Sequence, residues 1–263
     1  DAIEQAVTLN GVAVKANIAA FNWGRLLAHD PEAVTSAAGP APATARPQNE
    51  LSTDELIAHR SAHLTKYQNA RLAKRYTTRL ARLAKSVDAD TLRQAAISYA
   101  AVLAYKDEYE VARLYADPSF RENMEKTFEG DYKIAVNLAP PMLPGEDSTG
   151  RPKKREFGPW IFPVFGVLAR FKALRGTWAD PFGYGADRKI ERDLIALMEA
   201  DLDLAESMAG KNVDPQISRL LALPQDIRGY GPVKEKAYNE ALLQRDALRE
   251  TIKNGNGATR AAA

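Results

Sequence analysis

One uninterrupted apolar run constrains this chain more than any other feature: Pro159-Trp160-Ile161-Phe162-Pro163-Val164-Phe165-Gly166-Val167-Leu168-Ala169, eleven residues without a charge. A proline near a helix start is tolerated because that N–H would lack a partner anyway. Arg170, Lys172 and Arg175 then gather where the last carbonyls of a helix carry partial negative charge, and Gly176 is a suitable stop. A bilayer-spanning helix needs about 20 apolar residues, so this run is too short to cross one. Apolar nearly all round, it reads as a helix buried inside protein. The expected fold is therefore mainly α: an irregular multi-helix domain around a buried central helix from Pro159 to Leu174.

The 263 residues, 45% of them hydrophobic, can bury a core and suit one large or two small domains. A soluble chain is expected. The formal net charge of +2 selects neither nucleic acid nor membrane as a partner, so local charge has to be weighed instead. There is no cysteine, which excludes disulfides, a thiol nucleophile and an iron–sulfur cluster held by these residues. Nothing looks like a secretory signal. The chain opens on Asp1-Ala2-Ile3, already inside a helical pattern, and is expected to be a piece of a longer polypeptide.

Ile3, Val7, Val14, Ile18, Phe21 and Leu26 recur at helical intervals, which predicts one helix over 3–27 with a bend near Asn10-Gly11. Residues 1–35 form a first segment on this reading. The stretch 36–50 is small residues with three prolines, unable to build a core, and reads as a linker. A helical domain over 51–253 follows. Ser52 and Glu55 make a capping box, and the apolar rhythm runs on to about Lys85. Further helices are expected from Asp90 through Leu114, from Asp117-Pro118 to about Gly130, over 186–208, over 212–223 and over 233–252. Tyr132 to Leu138 alternates as a strand does, pairing outside the chain or with an irregular piece near Glu156-Phe157. The tail 254–263 is expected to be disordered.

Several clusters are candidates for function. Arg71, Arg75, Arg79 and Arg82 share one helix face, within a stretch from Leu56 to Val87 that has no acidic residue. They either pair with Glu191, Asp193, Glu199, Asp201, Asp203 and Glu206 of the later helix, face water, or dock an acidic partner. Nucleic acid would need stacking aromatics or readout elements beside them, and none is evident. Lys153, Lys154 and Arg155 offer point charges and a planar fork to a phosphate or a coenzyme's diphosphate, or are ordinary loop cations. His59 and His63 sit four apart, a spacing known from zinc sites, but lack companions, so helix-surface packing is the favoured reading and no metal site is assigned. Asp107, Glu108 and Glu110 suit acid–base chemistry if buried and ion pairing otherwise. The glycines are turn glycines without a dinucleotide-binding frame. No catalytic residue is assigned.

The run Leu9-Asn10-Gly11-Val12-Ala13-Val14-Lys15-Ala16-Asn17, with Ala20-Phe21 and Gly24-Arg25, resembles the closing helix of the gamma-type catalytic domain of 2-oxoacid:ferredoxin oxidoreductases. The rest resembles the helical C-terminal extension that follows that domain in bacterial indolepyruvate:ferredoxin oxidoreductases. The matching runs are Tyr67 to Ala70, Ala104 to Tyr115, Gly150 to Trp160, Leu174 to Thr177 with Asp180 to Tyr184, and Ile227 to Lys234. The resemblance implies an enzyme that oxidatively decarboxylates aryl pyruvates to aryl-acetyl-CoA and passes the electrons to ferredoxin. It also implies thiamine diphosphate, Mg and [4Fe-4S] clusters elsewhere in the complete enzyme and none bound by this segment. The expected role here is a structural, lid or docking domain of a cytoplasmic subunit, whose partners are other domains of the oxidoreductase and ferredoxin, with no membrane. The rival expectation is an autonomous module binding coenzyme A or an acidic protein.

Overall fold

The computed structural model of the chain describes residues 2–38, 48–140, 145, 153–208, 215–229 and 231–261. It divides into two compact units, Asp1–Leu51 and Ser52–Ala263. Among the described residues the architecture is mainly α, with a single two-stranded antiparallel sheet. None of the helices is long and apolar enough to cross a membrane.

The first unit contains α1 (Ala2–Asn10), α2 (Val14–His29) and α3 (Pro31–Ala38). The single helix expected over 3–27 is interrupted. Gly11 and Ala13 sit at φ 70° and 46°, and the Asn17 amide donates to the Val12 carbonyl at 2.9 Å. Asp30 caps α3 by accepting from the Ala33 N–H at 3.0 Å, and the helix runs through Ala38, past the expected linker start at residue 36. Residues 39–47 of that linker lie outside the described residues. No residue of the three helices is buried. Leu9, Val12, Trp23 and Leu27 are all exposed, so among the described residues the three helices enclose no core.

The second unit opens on the capping box at Ser52, whose hydroxyl accepts from Glu55 N–H while the Glu55 carboxylate accepts from Ser52 N–H. The helical rhythm expected to reach Lys85 is split into α4 (Thr53–Tyr67) and α5 (Ala70–Leu83). Asn69 explains the split: its extended backbone and its side chain, accepting from Leu72 N–H at 3.0 Å, start a new helix. Asp88 likewise caps α6 (Ala89–Leu103) through Thr91 N–H, and α7 (Glu108–Ala116) and α8 (Pro118–Thr127) follow. The strand is shorter than the expected 132–138: β1 (Val136–Leu138) pairs with β2 (Arg155–Phe157), Asn137 opposite Glu156. That is the partner near Glu156-Phe157, supplied from within the chain. Next come α9 (Ile161–Arg170), a 3₁₀ turn (Phe171–Leu174), α10 (Ala186–Ser207), α11 (Pro215–Ala222) and α12 (Pro232–Ala261). The last helix continues beyond the expected end at residue 252, to Ala261, and residues 262–263 of the expected tail lie outside the described residues.

The expected central post is not central. Of α9 only Ile161 and Phe165 are buried, in a small cluster with Ala112 of α7 and Val136 of β1. The main core gathers Leu64 of α4, Tyr76, Leu80 and Leu83 of α5, Met198 and Leu202 of α10, and Leu220 and Leu221 of α11. Its middle is α6, which packs against α4, α5, α10 and α11. Ala95, Ala96, Ser98 and Ala100 are buried on α6, and such small side chains let neighbouring helices come close on several sides. Ser98, wholly enclosed, accepts from the Gln225 amide at 3.0 Å. Accordingly, Leu202→Ala should cost about 2–5 kcal/mol. Val164→Ala on α9 should change stability by about 0.5 kcal/mol or less, both read from urea unfolding midpoints followed by circular dichroism.

Candidate functional site

The most densely built polar structure is a clasp around Arg175. Where α4 ends its last carbonyls lose their helical partners, and cations from the 3₁₀ turn and its exit take them. Lys172 Nζ donates to the Lys66 carbonyl at 2.6 Å, and Arg175 Nη1 to the Tyr67 carbonyl at 2.9 Å. The same guanidinium forms a bidentate pair with Asp107, through Nε to Oδ2 and through Nη2 to Oδ1 at 3.0 Å. It also lies 3.6 Å over the Tyr67 ring. Both members of the pair are buried. Burial alone would lower the Arg175 pKa, but the Asp107 carboxylate holds it above its ordinary value. Asp107 has a second task, since its Oδ1 also accepts from Glu110 N–H at 2.8 Å and caps α7.

Neighbouring groups close the clasp. The Tyr67 hydroxyl donates to the Tyr105 carbonyl at 3.0 Å. Arg188 of α10 donates to the Lys106 carbonyl at 2.9 Å and to Glu108 at 3.0 Å. The connection between α6 and α7 is thus gripped by three elements. Below Arg175, Gly176 turns the chain at φ 72°, and Asp180 accepts from Gly176 N–H, Phe182 N–H and the Tyr109 hydroxyl at 3.0, 3.1 and 3.0 Å. A side chain at Gly183 would meet that carboxylate at 3.3 Å. Burial, then the Asp180 hydrogen bond, push the Tyr109 hydroxyl above its ordinary pKa. The hydrogen bonds of Asp107, Arg175 and Asp180 run to protein atoms of several elements, so this site holds those elements together.

The three acidic residues singled out in sequence are ion-paired: Asp107 with Arg175, Glu108 with Arg188, and Glu110 with Arg113 at 2.7 Å. The aligned histidines part company. His59 is exposed, and His63 turns toward Glu110, 3.6 Å away. Among the described residues no group of three or more His, Cys, Asp or Glu could hold a metal ion.

The arginine stripe of α5 meets the acidic face of α10. Arg79 is buried and contacts three carboxylates, Glu199 at 3.4 Å, Asp203, and Glu206 at 2.6 Å. Arg75 pairs with Glu199 at 2.9 Å and Arg82 with Glu206 at 2.6 Å, while the Tyr99 hydroxyl donates to Glu199 from the core side. Glu191 and Asp201 turn instead to α12, to Lys234 and to Arg245 and Arg249. Arg71 and Lys74 remain exposed on a shallow groove of about 460 Å³, walled also by Arg75, Thr78 and Arg82. Lys153, Lys154 and Arg155 are exposed, on the approach to β2 and at its first residue. They do not share this groove. Sequence reasoning overlooked Arg175 as a hub, having read it as one of several cations closing a helix.

Replacing Arg175 by Met should cost about 3–5 kcal/mol, because Asp107 is left buried without its partner. Adding Asp107→Asn, which keeps the cap, should recover part of the loss in denaturant titration. For Glu110, burial alone would raise the carboxyl pKa, but hydrogen bonds from Arg113 and His63 outweigh it and bring the pKa from 4.5 to about 2. Its folded value is thus the depressed one. Its stabilising contribution is full above pH 4.5 and fades as pH falls toward 2. Glu110→Gln should flatten that segment of the stability–pH curve.

Residues 53–247 match a family model described as a family of unknown function, DUF6537. No curated protein and no solved structure matches the chain.

Proposed function

Because that match spans most of its length, the chain belongs to the DUF6537 family, and within it we propose a non-catalytic helical part of an indolepyruvate:ferredoxin oxidoreductase. In that enzyme an aryl pyruvate is oxidatively decarboxylated to an aryl-acetyl-CoA, and thiamine diphosphate, magnesium and iron–sulfur clusters are carried by other parts. The role of this chain is to brace that body and to offer it docking surface.

One observation carries the reading. The runs that resemble the oxidoreductase extension lie far apart in sequence, yet Tyr67, Tyr105, Asp107, Tyr109, Arg175, Asp180 and Gly183 come together in the clasp. The resemblance therefore falls on groups that depend on one another physically. A buried polar network that joins several elements supports a bracing role. The exposed apolar residues of α1 and α2 fit the same view, since apolar residues on a helix pack best when covered by other elements. The rival reading, coenzyme A held by Lys153, Lys154 and Arg155, has only exposed cations on an open strand end in its favour.

The assembly purified with this chain should reduce a viologen dye only when both indolepyruvate and coenzyme A are supplied. Dye reduction that ignores either compound removes the proposal. For ferredoxin the exposed cations of the groove, Arg71 and Lys74, are the docking groups this reading favours, because Arg79 is spent internally. Arg71→Glu with Lys74→Glu should slow ferredoxin reduction several-fold at low salt and leave the dye rate unchanged. Equal ferredoxin rates would confine docking to another surface.

A further inference from the structure

The sequence of α9 asks for burial on every side, and the fold supplies it on one. Its inner residues Ile161 and Phe165 pack with Ala112 and Val136, and Phe165 stacks on Tyr115 of α7 with ring centres 5.3 Å apart. Outward, Trp160, Val164, Val167 and Phe171 are 62%, 47%, 56% and 50% exposed. Their spacing of four, three and four is that of a helix-packing seam. Such a row is narrow, suited to one more helix and not to the broad apolar face with which a helix lies in a lipid surface.

Charge narrows the occupant. From Phe157 to Ala179 there is no acidic residue. Lys154 and Arg170, both exposed, flank the row at its approach and its exit, and among the described residues 153–158 Glu156 is the one acid. We infer that the outer face of α9, centred on Val164 and Val167, is the docking seam for an amphipathic helix of a partner chain that carries apolar residues at three- and four-residue spacing and acidic flanks. The inference deepens the bracing role and rests on it for the existence of a larger assembly, not for the chemistry of that assembly.

The test places the photo-cross-linker p-benzoylphenylalanine at Val167 of the full chain, expressed in the cells that make it, with Lys236, which is 80% exposed on α12, as the control position. Cross-links from Val167 should fall on one segment of the stated pattern and net negative charge. Val164→Glu, in the middle of the row and 47% exposed, should leave the melting temperature of the chain nearly unchanged, yet lower the Val167 cross-link yield at least tenfold. The inference is overturned by a yield no greater than at Lys236, by cross-links to phospholipid, to a basic segment, within the chain itself or to a second copy of it, or by an unchanged yield in the Val164 variant. A segment of the right pattern on a protein without indolepyruvate-dependent dye reduction keeps the seam and discards the oxidoreductase.

Discussion

The buried pairing of Arg175 with Asp107 is the constraint on which the second unit depends. A guanidinium taken out of water needs nearly all its donors satisfied, and here a carboxylate, a helix-end carbonyl and an aromatic face share the work. Each partner belongs to a different element. Tyr67 ends α4, Asp107 starts α7, and Arg175 leaves the turn after α9. One side chain therefore ties the main core to the smaller cluster under α9. Arg188 adds a fourth element by holding the Lys106 carbonyl from α10.

Much of the fold was legible in the sequence where local chemistry decides. The capping box at Ser52, the cap at Asp117 before Pro118 and the long amphipathic α10 stand where the residues place them. The strand at Val136 found its partner at Phe157. What could not be read is which helix is enclosed. Hydrophobicity ranks α9 first because it rewards large apolar side chains, whereas α6 buries alanines and a serine, which score modestly, alongside Tyr99, Val102 and Leu103. Centrality is a property of fit between helices, and small residues permit it. The break at Asn69 was hidden for a related reason: the apolar rhythm continues on both sides of it, and only the capping geometry of one amide reveals the new start.

The polar groups follow the same division. The ion pairing of Glu108 and Glu110 and the meeting of the α5 arginines with the α10 acids follow from charge and helical spacing. The hub did not, because Arg175 lies 68 residues from Asp107 and 108 from Tyr67, and no local pattern marks such a meeting. The signal present was indirect. Arg175-Gly176 and Asp180-Pro181-Phe182-Gly183 belong to runs that carried the family resemblance, and their glycines sit where a turn at φ 72° and a carboxylate 3.3 Å away leave no room for choice.

Those long separations bear on synthesis at the ribosome. Once made, α4 must wait for more than a hundred further residues before the guanidinium that closes its C-terminal end emerges. Until then Asp107 has emerged with no cation to meet it, and the carbonyls of Lys66 and Tyr67 stay wet. Contacts so distant in sequence form late, after their loop entropy has been met. The C-terminal end of α4 therefore closes only after the segment around Arg175 has left the exit tunnel, although α4 can already pack against α5 and α6.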